Sequence, residues 1–292
     1  QIYLETCKML FREYQLAFTK ISAYLLENEP HLENETERAF NTRMRSQCAD
    51  VCRYFLPTSA LANVGISINA RALEHTLQKM LSHPLAEVRS IGEEIKAVSV
   101  QNVPTLVKYA NANEYLVQIG DAIHAHINDH AAVKPKRDDW CTCVDQDADG
   151  EIKVLAALLY RFSRFSFNDA LTFVSGLSKA DLAAIAEDLM GKLNDHDVPL
   201  RELEYAHIAF DLVMDQGAYF ELKRHRMMSQ TVQEFTPHLG YAVPKLILDS
   251  DLLDRYTNAM GKAKTTFASI QKIHPHVAAY VLPNGFNRRI LL

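Results

Sequence analysis

The sequence predicts an α+β protein, with small antiparallel-rich sheets covered by helices and two related units in tandem. Three observations carry that reading. Apolar residues recur at three-to-four spacing over several long stretches, the mark of amphipathic helices. Short β-like runs interrupt them, such as Cys52–Leu56 and Leu61–Ile68 on either side of Pro57-Thr58-Ser59. Finally, Arg53-Tyr54-Phe55-Leu56-Pro57 is echoed by Ala279-Tyr280-Val281-Leu282-Pro283. Each copy follows a helical stretch and precedes a strand-like run, which points to a duplicated unit.

In chain order, residues 4–27 place Leu10, Tyr14, Ala17, Ile21 and Leu25 on one face of a helix. The polar stretch Glu27–Arg45 reads as a loop or an exposed helix, and the two β-like runs follow it. A helix is predicted from Ala70 to Leu81, and Pro84 opens another, since proline suits a first helical position. Val88, Ile91, Ile95 and Val98 line that second helix; Leu116, Ile119, Ile123 and Ile127 line a third. Residues 131–150 combine Lys134-Pro135-Lys136-Arg137 with a run of aspartates and a glycine, which predicts a linker. Ile152–Phe162 reads as a buried strand. Helices are predicted at about 179–194, 200–222 and 249–271, and Arg289–Leu292 reads as a strand cut short. The expected organisation is residues 1–130 as the back part of one unit, 131–150 as linker and 151–292 as the front part of the next. The two ends read as those of a piece of a longer protein.

A composition of 48% hydrophobic and 23% charged residues is ordinary for a globular protein with a real core. A net charge of -5 argues against broad nucleic-acid binding, which needs a basic surface. A local arginine pocket for a small phosphorylated ligand needs no overall positive charge. Apolar runs such as Val154–Tyr160 fall far short of the roughly 20 residues that span a bilayer. No basic, apolar and small-residue succession opens the chain, so no signal peptide is expected. Five cysteines in a long chain fit a reducing compartment, so a cytoplasmic location is expected, with neither nucleic acid nor membrane as partner.

Arg224-His225-Arg226 lies in Lys223–Ser229, at the end of the predicted 200–222 helix. Read alone, it is a basic helix terminus that interacts favourably with the last carbonyls. Arg71 and His75, four apart, share a helix face while Leu73, Leu77 and Met80 or Leu81 turn inward. That face is either a set of donors to a ligand or an exposed polar surface. His124, His126 and His130, with Cys141-x-Cys143 nearby, lack the usual two-residue gap of a zinc site and read as a polar helix end plus linker. Asp145-x-Asp147-x-Asp149-Gly150 opens like a calcium loop, but Ala156 stands where a bidentate glutamate is needed. It reads as a solvated acidic turn, and no metal is expected. Trp140, the one tryptophan, says nothing about function.

Three segments together resemble the flavin-dependent thymidylate synthases, the thymidylate synthase complementing proteins. That family carries Arg-His-Arg-x-x-Ser, matched by Arg224-His225-Arg226-x-x-Ser229. It carries Leu-Glu-His-Ala-x-x-x-Phe upstream, matched by Leu203–Phe210 with Tyr205 replacing the histidine. It carries Arg-Tyr-x-Leu-Pro followed by Asn-Ala-Arg-x-Leu, matched by Arg53–Pro57 and Asn69–Leu73. In the family the Asn-Ala-Arg segment follows the Arg-His-Arg signature, whereas here it precedes it. Duplication with truncated ends accounts for that inversion.

The resemblance implies methylation of deoxyuridylate at C5, with methylene-tetrahydrofolate as carbon donor, FAD as cofactor and NADPH as reductant. It assigns Arg224, His225 and Arg226 to catalysis and flavin or folate binding. Ser229, Glu204, Asn69, Arg71 and His75 would complete the flavin site, and Arg53 and Glu221 would contact the nucleotide. Arginine suits both reduced flavin and phosphate because it stays protonated and presents fixed donors. Family sites form between subunits, which implies a homo-oligomer or an intrachain pseudo-dimer with Arg53 and Arg71 facing Arg224–Arg226. The chain also departs from the pattern. Gln230–Pro237 replaces the family's serine and Arg-Tyr pair, Lys79-Met80 stands where an arginine is expected, and Ala279 replaces the arginine of the second landmark. The alternative is therefore a non-catalytic flavin- or nucleotide-binding homologue acting as a scaffold or partner subunit.

Overall fold

The computed structural model describes residues 1–130 and 139–292, so Lys134–Arg137 of the expected linker lies outside the described residues. The first half holds α1 (Ile2–Asn28), α2 (Glu37–Cys52), a 3-10 turn at Arg53–Phe55, α3 (Ala70–Leu81), α4 (Ala86–Asn102) and α5 (Glu114–His130). Then come β1 (Cys141–Gln146), α6 (Gly150–Phe162), α7 (Phe167–Ser175), α8 (Lys179–Met190) and a 3-10 turn at Arg201–Tyr205. The chain continues through β2 (Ile208–Asp215), α9 (Gln216–Leu222), β3 (Thr231–Val232), α10 (Lys245–Asp249) and α11 (Leu253–Gln271). A 3-10 segment at Pro275–Val281 precedes β4 (Asn287–Leu291). The protein is α+β and mostly helical, its described strands forming a small sheet in the order β1-β2-β4-β3.

Two compact units divide it: Gln1–Arg137 with Asp215–Glu221 and Glu234–Arg288, and Asp138–Met214 with Leu222–Gln233 and Arg289–Leu292. In the first unit, α1 turns Leu10, Ala17, Ile21 and Leu25 toward Phe40, Met44, Cys48 and Cys52 of α2 and toward Tyr256, Met260, Ala263 and Phe267 of α11. Near-regular steps of three and four put each set on a single stripe. Burying one such aliphatic side chain contributes about 1.5–3 kcal/mol. Thr6 and Thr266 share a buried hydroxyl bond at 2.8 Å, and Arg255 grips Glu13 through Nε and Nη2 at 2.8 and 2.7 Å. Cys48 and Cys52 lie side by side, sulfurs 3.8 Å apart, and burial pushes both thiols up.

Within the polar stretch Glu27–Arg45, Thr36 caps α2 by accepting from Ala39 N at 3.3 Å. Arg43 closes the loop before it with a two-pronged grip on Glu35, Nε to Oε1 at 2.9 Å and Nη2 to Oε2 at 2.7 Å. Those bonds hold the Glu35 carboxyl down at about 2. Cys52–Leu56 is not a strand, because Cys52 ends α2 and Arg53–Phe55 tightens into a 3-10 turn. The turn sends Phe55 into the core, edge-on to Tyr256 with centroids 5.0 Å apart. Leu61–Ile68 is not a strand either; it has no regular structure and is exposed. α3 runs over Ala70–Leu81 as predicted, with Leu77 buried against Val107 and Ala110. α4 begins two residues after Pro84, and the missing side chain of Gly92 lets it approach Met80 of α3.

The two echoed segments meet. Pro57 and Pro283 form an antiparallel bridge. Thr58 N donates to Leu282 O at 3.0 Å, and Asn284 N donates to Leu56 O at 3.0 Å. Ser59 N donates to Tyr280 O at 3.2 Å, and Gly285 N donates to Tyr54 O at 3.2 Å. Within each segment the same turn closes, Leu56 N to Arg53 O and Leu282 N to Ala279 O, both at 3.0 Å. A local two-fold axis therefore relates residues 53–60 to 279–286.

The second unit is built on the sheet. β1 and β2 run antiparallel from Cys141↔Leu212 to Gln146↔Ile208, with an irregularity between Cys143 and Asp145. Phe210 and Leu292 exchange both backbone bonds at 2.9 Å, the antiparallel pattern. Thr231↔Leu291 and Val232↔Ile290 pair β3 to β4. Part of the expected linker is thus strand β1, and the predicted 200–222 helix is a 3-10 turn, a strand and only two turns of helix. Ile208, Phe210 and Leu212 alternate with Ala209, Asp211 and Val213, and the ladders on both sides decide the period. Ile152–Phe162 is helix rather than strand: Leu155 and Ala156 of α6 are buried with Ala170 and Val174 of α7, and Leu182, Ile185 and Leu189 of α8 pack against them. A continuous apolar run does not by itself separate a buried strand from a buried helix.

Candidate functional site

In the second unit, α9 ends at Leu222 and β3 starts at Thr231, so Lys223–Gln230 forms the link between a helix end and a sheet strand. Gln230 fixes it, its Nε2 donating to His225 O at 2.9 Å and Leu222 O at 3.4 Å. His225 N closes the last turn onto Leu222 O at 3.0 Å. Arg224, His225, Arg226 and Ser229 are all exposed on this link. With its backbone tied by one amide side chain, the link presents two guanidiniums, an imidazole and a hydroxyl to solvent. This donor set suits phosphate or an electron-rich ring. Gln230, which the sequence marks only as the start of a departure from the family pattern, holds the link through these bonds.

Glu204 sits in the 3-10 turn Arg201–Tyr205, where Arg201 grips both its oxygens at 3.0 and 2.9 Å. Those bonds lower its pKa. Next to it opens a cavity of about 800 Å³, walled by Val154 and Leu155 of α6, Leu182 and Leu189 of α8, and Leu203. At its rim Asp147 accepts from Lys153 Nζ at 2.6 Å and from His207 N at 3.2 Å. The lysine bond, more than any other contact, lowers the Asp147 pKa. Asp147 therefore ties the acidic turn into its own fold. A strand over Ile152–Phe162, as the sequence predicts, would not form this wall; helix α6 does.

In the first unit, Asn69 caps α3: its Oδ1 accepts from Ala72 N at 2.9 Å. Arg71 and His75 share the exposed face of that helix, as their spacing requires. Arg53 lies 3.5 Å from Asp50, and its Nε is buried with no hydrogen-bond partner among the described residues. Tyr54 beside it is pushed up by burial and by its hydrogen bond to Asp215. Asp215 also caps the first turn of α9, accepting from Ala218 N at 2.8 Å. Gly217 makes this approach possible, since a Cβ there would lie 3.0 Å from Asp215 Oδ1 and 3.7 Å from Arg53 Nε. Glu221 is exposed on α9. Arg288 bonds Gln216 Oε1 at 2.8 Å and stacks between Tyr219 and Phe235, 4.8 and 5.5 Å from their centroids. Burial lowers its pKa.

His124 stands 3.9 Å from Glu234, and Cys141 and Cys143 lie on β1. The side chain of His130 lies outside the described residues. Among the described residues no group of three His, Cys, Asp or Glu side chains is arranged to hold a metal ion. No described helix is long and apolar enough to cross a membrane.

Comparison with known proteins gives this geometry a setting. The family described as thymidylate synthase complementing protein matches residues 143–292, which include the Arg224–Ser229 link and the Ala279–Pro283 segment. The chain is 29% identical over 300 residues to a UPF0159 protein of Chlamydia muridarum, covering 99% of this chain and 56% of that protein. It is 28% identical over 299 residues to a UPF0159 protein of Chlamydia pneumoniae, with the same coverage of 99% and 56%. A UPF0159 protein of Thermoplasma acidophilum is 23% identical over 259 residues, covering 86% of this chain and 51% of that protein. The chain thus spans about half the length of the curated relatives it matches. No solved structure matches it. On the match over residues 143–292, this chain belongs to the thymidylate synthase complementing protein family.

Proposed function

We propose that the protein takes part in flavin-dependent thymidylate synthesis, methylating deoxyuridylate at C5 with methylene-tetrahydrofolate and reduced FAD, NADPH serving as reductant. The observation that carries this reading is the Arg224-His225-Arg226-x-x-Ser229 link, held by Gln230 and exposed, in a chain of this family. Bound FAD, once reduced, supplies the hydride. Arg224 and Arg226 hold negative charge on flavin or folate, His225 and Ser229 orient the ring, and Asn69, Arg71 and His75 add donors from α3. Glu204 acts through Arg201, whose guanidinium it holds. Arg53 and Glu221 serve the nucleotide. The donor chemistry fits: cationic and neutral hydrogen-bond donors, with no protein thiol needed as nucleophile. A tandem pair of family units, cytoplasmic and working as an intrachain pseudo-dimer or homo-oligomer, completes the proposal.

A second reading is favoured by specific positions. Thr236-Pro237, Met80 and Ala279 stand where the resemblance asks for arginines, and a phosphate in a partly desolvated pocket needs such donors. On that reading the protein binds flavin or nucleotide without turnover and supports an active partner. Two measurements separate the readings. A flavin spectrum after reconstitution, with tritium release from C5-labelled deoxyuridylate, is expected if the protein is an enzyme. Flavin binding without release leaves the scaffold, and absence of both overturns the proposal.

A further inference from the structure

The local two-fold axis leaves one half without a partner. Continuing the correspondence in step, Thr58 answers to Asn284, Ala60 to Phe286, Val64 to Ile290 and Ile66 to Leu292. On the second side, Asn284 O and Phe286 O accept from Gly217 N at 3.2 Å and Gln216 N at 3.0 Å, the first turn of α9. On the first side, Thr58 O and Ala60 O accept no backbone bond among the described residues. The chain then enters β4 on the second side, where Ile290 is 0% exposed between neighbouring strands. On the first side it enters Leu61–Ile68, where Leu61 is 99%, Val64 76% and Ile66 77% exposed. With Ile68, 43% exposed, that makes four large apolar residues on one irregular, unpaired segment, which a folded protein ordinarily covers.

The tyrosines repeat the asymmetry. Tyr54 bonds Asp215 at the head of α9, whereas its counterpart Tyr280 bonds Glu87 of α4, an interaction that, after burial, pushes Tyr280 up to about 12.

We propose that Leu61–Ile68 is a docking strand. It takes the place of β4 in a second four-stranded sheet whose other strands form a unit like residues 141–232, carried by the same, longer polypeptide. The relatives, about twice the length of this chain, have room for such a unit. The docked helix places amides on Thr58 O and Ala60 O, and its leading carboxylate displaces Glu87 from Tyr280.

Hydrogen exchange on the complete gene product tests this. Amides of 61–68 are expected to be protected as strongly as those of 287–291, independently of protein concentration. Exchange of 61–68 at the rate of a free peptide overturns the proposal, as does protection that appears only on raising concentration, which would assign the occupant to a second copy. In the same protein Val64→Asp is expected to lower Tm about as much as Ile290→Asp; a neutral Val64→Asp overturns it too. None of these readouts involves flavin, so a failed catalytic reading leaves them unchanged.

Discussion

Gly285 lies directly under the hydroxyl of Tyr256, where any β-carbon would collide with it. That hydroxyl is committed elsewhere, donating to Ala242 O at 2.8 Å from inside the core. Gly285→Ala is therefore expected to destabilise the protein by about 1–3 kcal/mol through overpacking. Tyr256→Phe alone strands the Ala242 carbonyl at a cost of about 1–3 kcal/mol. In the double variant the methyl occupies the space of the lost hydroxyl, so the two costs fall short of additive by about 0.5–3 kcal/mol. Chemical denaturation of all four proteins reads this out, and strict additivity would contradict the contact.

The Arg43–Glu35 grip makes a pH prediction. Glu35 is held at about 2, below an ordinary carboxylate, so its contribution is complete above the unfolded value of roughly 4.3 and is lost as pH falls toward 2. Glu35→Gln is expected to lower Tm at pH 7, with the gap to the parent narrowing steadily down to pH 3. A gap that stays constant would mean that the charge contributes nothing.

Asn69 separates fold from function. Asn69→Ala removes the cap on α3 and should cost about 1 kcal/mol, whereas Asn69→Asp keeps a capping oxygen and should leave stability nearly unchanged. If Asn69 also donates its amide to flavin, Asn69→Asp weakens FAD binding without a stability loss. Equal FAD affinity of parent and Asp variant would confine Asn69 to capping.

Arg226→Ala should weaken FAD binding. A charge-assisted hydrogen bond contributes about 1.5–3 kcal/mol, or roughly ten-fold or more in affinity. Titration by flavin fluorescence checks it; unchanged affinity would remove Arg226 from the flavin site.

How far the sequence could be read depended on whether local pattern or distant partners decide an element. α3 was legible to the residue, because Asn69 caps it and Leu73 and Leu77 give its inward face. The position of Arg224–Arg226 just past a helix end was legible too, while its role is what the FAD titration tests. Ile152–Phe162 was not legible: its apolar run satisfies both periods, and only α7 and α8 select the helix. The 200–222 stretch failed the other way, since Leu203, Ala206, Phe210 and Val213 mimic helical spacing while β1 and β4 impose strand geometry. Leu61–Ile68 has strand chemistry but no neighbouring strand among the described residues. The roles of Gln230 and Asp215 rest on main-chain groups they hold in place, which spacing does not reveal.

The paired sulfurs of Cys48 and Cys52 give the helical core a built-in clock. Both are fully enclosed and held in the sluggish thiol form, while Cys143 stands in solvent on β1. A thiol reagent therefore meets Cys143 at once and the α2 pair only when that helix lifts away from α1 and α11. Their labelling rate measures how often the core opens, from the unmodified protein and with no introduced probe.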